Sequence, residues 1–286
     1  KNLKHNKYSD PKGLYVLRNE IKDKLNIKNK IECSEEENII ITNGASHAIY
    51  LSLKTLLGKG DECIIIEPYW KQYELNVNRL GAKAVFVKMD FKNQFSLNIE
   101  KVINSITDKT KVIILNFPNN PTGEILSKLQ IKELINFIND KNIYIISDEV
   151  YEDYVYSDSD KISISSFSQN FEKIISIFSF SKTYSMTGYR VGYIVSSKEI
   201  INKLKNELVV NLTCISHAYQ IGALHALKYD YIYRGRIKKI YENIVFLKKE
   251  SKALPIYKNI IFPKSGFYLL LNTSESGYDS ITLAKY

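Results

Sequence analysis

The strongest constraint on the fold is the alternation of short apolar runs with segments of helical periodicity. The runs Ile39–Thr42 and Val112–Leu115 are each followed by a turn or loop and then by a helical pattern. Strands that alternate with helices in this way form a mostly parallel sheet with helices on both faces. The sequence therefore predicts an α/β fold of this type.

Composition excludes several classes of function. The chain has 286 residues and a net charge of +9, but its cations are dispersed lysines without a basic block, which disfavours nucleic-acid binding. No apolar run approaches the roughly 20 residues that a membrane span needs. Cys33, Cys63 and Cys214 lack the spacing of a metal site, and we expect free thiols in the cytoplasm, a reducing compartment. We predict no metal, nucleic-acid or membrane partner.

The apolar run Ile174–Phe180 predicts a buried strand that ends at Ser181 and Lys182. Burial disfavours a charged ammonium, and a neutral lysine amine is the nucleophile that forms Schiff bases. Arg190 follows with a fork of donors suited to a phosphate, and Ser179 adds a hydroxyl. These groups suggest an aldehyde cofactor that carries a phosphate. A strand end with solvated polar residues explains this stretch alone equally well.

A second candidate anion site follows the strand Ile39–Thr42. The small residues Gly44, Ala45 and Ser46 lead directly into a helical pattern. A strand, a small-residue turn and a helix can present free backbone N–H groups to an anion. A plain turn between strand and helix is the alternative.

Three more predicted strands are followed by polar or aromatic groups. Trp70 and Asn120 each follow one strand, and Asp148 with Tyr151 follow another. Separately, these could be a core aromatic, a loop residue and a helix N-cap. Because the carboxyl ends of parallel strands share one edge of a sheet, we expect all of them in a single cleft.

Five motifs occur in the order that they have in one family: Thr42-Asn-Gly-Ala-Ser46, Pro68-Tyr-Trp70, Asn119-Asn-Pro-Thr-Gly123, Ser147-Asp-Glu-Val-Tyr151 and Ser179-Phe-Ser-Lys-Thr-Tyr-Ser-Met-Thr-Gly-Tyr-Arg-Val-Gly192. With them the chain resembles the fold-type I, class I aminotransferases that depend on pyridoxal phosphate. The bacterial aspartate/aromatic subgroup is the most similar. The likeness extends from Tyr8 to about Leu271.

The resemblance implies a role for each matched residue. Lys182 would hold pyridoxal phosphate as a Schiff base and later act as general base. Asp148 would keep the pyridine nitrogen protonated, so that the ring can accept electrons. Asn120 and Tyr151 would bind the phenolic oxygen, and Trp70 would stack on the ring.

The resemblance also implies how the phosphate and the partners are bound. Ser179, Arg190 and the helix end at Gly44, Ala45 and Ser46 would hold the phosphate. Tyr8 matches a tyrosine that reaches the phosphate of the other subunit, which implies a homodimer with shared sites. The substrates would be an amino acid and a 2-oxo acid. Cis peptide bonds are expected before Pro68 and Pro121.

We expect a large pyridoxal-phosphate domain over residues 1–235 and the start of a small α+β domain over residues 236–286. The arginine that binds the substrate carboxylate in the family lies well beyond the strand matched by Phe267–Leu271. Arg234 and Arg236 do not match it. We therefore interpret the sequence as incomplete at both ends, and a different reaction is the alternative.

Two alternatives to transamination stay open. The same motifs serve β-lyases, decarboxylases and oxidases, because the cofactor performs the difficult step and the pocket selects the bond that breaks. A non-catalytic regulatory domain that binds pyridoxal phosphate is the other. The sequence does not specify which amino acid is the substrate.

Overall fold

The computed structural model describes residues 7–157, 162–168, 171–254 and 259–285. Its centre is a seven-stranded sheet in the order β1-β7-β6-β5-β4-β2-β3. The strands are β1 Ile39–Thr42, β2 Glu62–Glu67, β3 Lys83–Lys88, β4 Thr110–Asn116, β5 Tyr144–Asp148, β6 Ile174–Ser179 and β7 Gly192–Val195.

Neighbouring strands from β3 to β6 are parallel, and only β7 runs antiparallel to its neighbours, β1 and β6. The predicted mostly parallel sheet is confirmed. All six residues of β6 are buried. Continuous apolar strands of this kind are typical of a sheet that is covered on both faces.

Helices cover both faces of the sheet. They are α1 Tyr15–Lys24, α2 Gly44–Leu56, α3 Gln72–Arg79, α4 Ile99–Asn104, α5 Lys128–Ile138, α6 Lys198–Leu212, α7 His217–Lys228 and α8 Asp230–Glu250. Leu17, Ile49 and Leu204, from α1, α2 and α6, belong to one buried cluster. Val102 and Leu134, from α4 and α5, belong to a second. The predicted cover of helices on both faces is therefore present.

Local sequence explains where several elements begin and end. Ser127 and Gln130 form a reciprocal capping box that starts α5, as each side chain bonds the other's backbone N–H. The chain from His217 to Glu250 is two helices, α7 and α8, because Tyr229 between them leaves helical geometry at φ −109° and ψ 29°. The peptide bonds before Pro68 and Pro121 are cis, as expected.

The strand expected over residues 267–271 is shorter than predicted. Only Leu270–Leu271 (β9) pairs, with Ile260–Ile261 (β8), and a short helix, α9, follows at Ser280–Leu283. Phe267 and Tyr268 instead pack their rings against Tyr151, with centroid distances of 5.5 and 6.1 Å. The C-terminal part of the chain therefore touches the edge of the large sheet where β5 ends.

The antiparallel strand β7 places Arg190 at the same edge as the ends of the parallel strands. Gly192 begins β7 and pairs with Thr42 at the end of β1 and with Ser179 at the end of β6. Residues that precede β7 therefore meet residues that follow β1, β5 and β6.

Candidate active site

A cavity of about 250 Å³ opens at this edge of the sheet. Nine of the eleven residues predicted for the site line it: Ala45, Ser46, Trp70, Asn120, Asp148, Tyr151, Ser179, Lys182 and Arg190. Gly44 lies against the Arg190 side chain without lining the cavity, and Tyr8 lies outside it with 87% of its surface exposed. The structure thus brings together the strand ends that the sequence pattern assigned to one cleft.

Lys182 lies in the turn directly after β6 and is half-buried. The Tyr154 hydroxyl donates to the Lys182 carbonyl oxygen at 3.0 Å, and the Thr183 hydroxyl donates to Asp153 at 2.9 Å. Both bonds tie the turn to the segment Glu152–Tyr154, which follows β5. The Lys182 Nζ lies 5.8 Å from the centre of the Tyr151 ring, so its amine is presented to the cavity beside an aromatic wall.

Asp148 is the last residue of β5 and only 3% exposed. Burial raises the pKa of its carboxyl to about 6, against the opposing effects of a Tyr73 hydrogen bond, the Val150 N–H and the positive charge of Lys182. A carboxyl with this pKa is mostly ionised at pH 7. The cavity therefore contains a buried carboxylate with capacity for a further donor.

Trp70 lies two residues before α3 and Tyr73 lies in its first turn, and both line the same cavity. Their rings meet edge to face at 5.6 Å and 85°. The Tyr73 hydroxyl donates to the Asp148 Oδ2 at 2.5 Å. The segment from Trp70 to the first turn of α3 thus supplies both an aromatic surface and a hydrogen bond to the buried carboxylate.

The loop that carries Asn120 is held by Asn116 at the end of β4. The Asn116 side chain donates to the Asp148 carbonyl oxygen at 3.1 Å, and its oxygen accepts from the Asn120 N–H at 3.0 Å. Asn116 also lines the cavity. Its position directly after an apolar run was the signal that could have identified it.

The opposite end of the cavity is rich in donors. The side chain of the N-cap residue Asn43 does not cap α2, and Ala45 and Ser46 in the first turn line the cavity. Arg190 lies beside them and donates from Nη1 to the Thr187 carbonyl oxygen at 2.9 Å. A Cβ on Gly44, whose φ is +76°, would lie 2.5 Å from the Arg190 Nη2. Because glycine has no Cβ, the Arg190 guanidinium can lie directly against the N-terminus of α2.

Sequence reasoning missed other residues that line the cavity. Val150, Thr187 and Tyr268 are among them, and the Tyr268 hydroxyl lies 3.2 Å from that of Tyr151. Burial and then this hydrogen bond raise the pKa of Tyr151, which keeps the phenol protonated at neutral pH. Tyr268 follows Tyr151 by 117 positions, and no local pattern links the two.

A larger cavity of about 670 Å³ is lined by Glu149, Glu152 and Tyr241 among others, and it contains none of the predicted site residues. Within the described ranges, no group of three or more histidine, cysteine or acidic side chains could hold a metal ion. The helices of these same ranges are too short or too polar to cross a membrane.

Comparison with known proteins identifies the family. Residues 2–285 match the family model for aminotransferases of class I and II. The chain is 34% identical to an aspartate aminotransferase of Thermotoga maritima over 92% of its own length and 68% of that protein's. It is 32% identical to aromatic-amino-acid aminotransferase 2 of Thermococcus litoralis, over 98% of this chain and 72% of the relative.

The fold comparison agrees. The crystal structure of an aromatic aminotransferase from Pyrococcus horikoshii superposes with a TM-score of 0.90 at 32% identity, covering 98% of this chain and 75% of that one. An aspartate aminotransferase from Thermotoga maritima also superposes with a TM-score of 0.90, over 98% of this chain and 72% of that one. The chain therefore belongs to the class I and II aminotransferases, enzymes that transfer an amino group between an amino acid and a 2-oxo acid with pyridoxal phosphate.

Proposed function

We propose that the 250 Å³ cavity binds pyridoxal phosphate and that Lys182 and Asp148 carry out amino-group transfer there. One observation carries the proposal: a lysine amine, a buried carboxylate and an uncapped helix end with an arginine surround a single cavity. The cofactor has a matching group for each, namely an aldehyde, a pyridine nitrogen and a phosphate. The donor set of the cavity therefore fits this molecule.

The phosphate would lie against the N-terminus of α2. Free N–H groups and the helix dipole favour an anion there, and Arg190 can add a bidentate, charge-assisted contact. The Ser179 hydroxyl lines the same end of the cavity. Asp148 is the anionic group on β5, so the charges of the cavity select the orientation of the cofactor.

Pyridoxal phosphate, when bound, supplies an electron sink for the bond that breaks at the substrate's α-carbon. The Asp148 carboxylate, mostly ionised because its pKa is about 6, holds a proton on the ring nitrogen. Asn120 and Tyr151 would donate to the phenolic oxygen, and Trp70 would stack on the ring. Lys182 would hold the cofactor through Nζ. When not bonded to the cofactor, the Lys182 amine would be the base placed to take the proton from the substrate's α-carbon.

The wider assembly is part of the proposal. Tyr8 is a largely exposed aromatic residue, which supports a role in a second subunit's site and hence a homodimer. Residues 236–286 would begin a smaller domain. The three cysteines are free, which supports a cytoplasmic enzyme. Relatives named for aspartate and for aromatic amino acids support these two substrate classes as the first to test.

Lys182→Ala tests the proposal most directly. Borohydride treatment of the protein with pyridoxal phosphate should attach one cofactor per chain, and peptide mapping should find it on Lys182. Lys182→Ala should lose this adduct, whereas Lys198→Ala, which removes an exposed lysine on α6, should keep it. A stoichiometric adduct on Lys182→Ala would show that another lysine binds the cofactor.

The reaction is tested with the untreated protein. Incubation with aspartate or with an aromatic amino acid should convert its visible band to that of the pyridoxamine form and release one 2-oxo acid. Release of ammonia or carbon dioxide without that conversion would instead show a lyase or a decarboxylase.

A further inference from the structure

We propose that Tyr73 is a positioning residue whose hydroxyl keeps Asp148 ionised and oriented toward a cationic ring nitrogen. The inference rests on the proposed function, because it assumes that Asp148 binds that nitrogen. It adds a residue from a different element, since Tyr73 is on α3 whereas Asp148 ends β5.

The Tyr73–Asp148 pair is buried and fixed on both sides. Tyr73 is 2% exposed, and its hydroxyl lies 2.5 Å from the Asp148 Oδ2. The Tyr73 N–H bonds to the Trp70 carbonyl oxygen at 3.0 Å, and the two rings pack edge to face. Asp148 Oδ1 is 3.3 Å from the Val150 N–H. A carboxylate accepts about four hydrogen bonds, so Asp148 can accept one more from a ligand.

The pKa values of the Tyr73 phenol and the Asp148 carboxyl determine which of them donates the hydrogen bond. Burial, followed by the nearby Asp148 charge, raises the pKa of Tyr73 well above its usual value, so the phenol keeps its proton. Asp148, with a pKa of about 6, is the acceptor. Among the described residues, the other titratable groups that act on or respond to Asp148 are Tyr151, from the segment after β5, and Lys182, from the turn after β6.

Burial raises the pKa of Asp148, and the hydrogen bond from Tyr73 is the largest effect that lowers it. The Val150 N–H and the Lys182 charge lower this pKa by smaller amounts. Tyr73→Phe removes only the hydroxyl. We expect the pKa of Asp148 to rise by about one unit, because hydrogen bonds to charged groups have about this strength.

This shift has a characteristic pH dependence. If only ionised Asp148 binds a protonated ring, a rise in its pKa from about 6 to about 7 weakens binding by about ninefold at pH 5. The loss is about twofold at pH 7 and close to none at pH 8 by the same relation. A tyrosine that only filled space would instead give a ratio of affinities that does not vary with pH.

The experiment measures binding without chemistry. The probe is the 4-deoxy analogue of pyridoxal phosphate, in which a methyl group replaces the aldehyde, so that Lys182 cannot react with it. Trp70 is the only tryptophan of the chain and lines the cavity, so its fluorescence reports the bound probe. Dissociation constants for wild type and Tyr73→Phe are measured from pH 5 to pH 8. Titration of the probe itself changes both dissociation constants by the same factor at each pH, so it cancels in their ratio.

Tyr69→Phe is the matched control. Tyr69 also donates to a carboxylate, Glu74 Oε2 at 2.5 Å, but that pair does not line the cavity. The ratio of the dissociation constants of Tyr69→Phe and wild type should be about one from pH 5 to pH 8. A flat Tyr73→Phe ratio, at any value, would overturn the proposal.

Asp148→Asn separates the inference from the proposed function. In this background, Tyr73→Phe should no longer produce a ratio that depends on pH, and a dependence that persists would overturn the inference. If the probe fails to bind wild type, or binds Asp148→Asn equally well, the proposed role of Asp148 itself is wrong. A pH-dependent loss in Tyr73→Phe alone supports both.

Discussion

Replacing Gly44 with alanine adds only one methyl group, but it should strongly lower the affinity for pyridoxal phosphate. Gly44 is the first residue of α2 and has a φ of +76°. A Cβ at this position would lie 2.5 Å from Nη2 and 2.9 Å from Cζ of Arg190. Because ordinary contacts between such atoms are about 3.5 Å or more, the guanidinium must move by about 1 Å.

Two separable costs follow from this geometry. A left-handed conformation costs a residue with a Cβ about 1–2 kcal/mol, which should lower the free energy of unfolding. Displacing Arg190 from the phosphate should remove a charge-assisted contact of about 1.5–3 kcal/mol. Pyridoxal phosphate should therefore bind roughly 10- to 100-fold more weakly.

Gly60→Ala provides the control for the backbone cost. Gly60 has a φ of +88°, and a Cβ on it would meet nothing within 4 Å. Both variants should unfold at lower urea concentrations than wild type, whereas only Gly44→Ala should bind pyridoxal phosphate more weakly in a fluorescence titration. In an Arg190→Ala background, Gly44→Ala should have little further effect on affinity. Equal affinities for the Gly44→Ala and Gly60→Ala variants would refute this reasoning.

Two further predictions concern assembly and stability. Mixing Tyr8→Phe with Lys182→Ala should restore part of the lost aminotransferase activity if subunits share sites, because one site of each hybrid dimer then has both residues. A mixture no more active than the sum of the two variants would exclude sharing. Lys24→Met should lower the free energy of unfolding in urea by about 3–5 kcal/mol, because it leaves Glu152 buried without its cation at 2.5 Å. Lys203→Met, at an exposed pair with Glu199, should cost less than about 0.5 kcal/mol, and equal losses would contradict the argument.

Sequence pattern correctly placed most of the cavity. Lys182, Asp148 and Asn120 follow apolar runs, and parallel strands bring the ends of such runs to one edge. Predictions of this kind succeed because strand and helix periodicity depend on residues close in sequence.

The division of a long helical segment at Tyr229 was less predictable. Apolar spacing continues from α7 into α8, and the break appears only in the backbone angles. The short pairing of β9 is similar, because Phe267 and Tyr268 pack against Tyr151 and only two residues reach the ladder.

By itself, the sequence determined the sheet, the order of its strands along the chain and the groups at the strand ends. Tertiary structure decided which of these groups touch. Arg190 reaches the α2 end because β7 runs antiparallel, and the Tyr73 hydroxyl of α3 reaches Asp148 at the end of β5 across 75 positions. Such contacts depend on strand direction and helix packing, which involve residues far apart in the chain and leave no periodic trace in it.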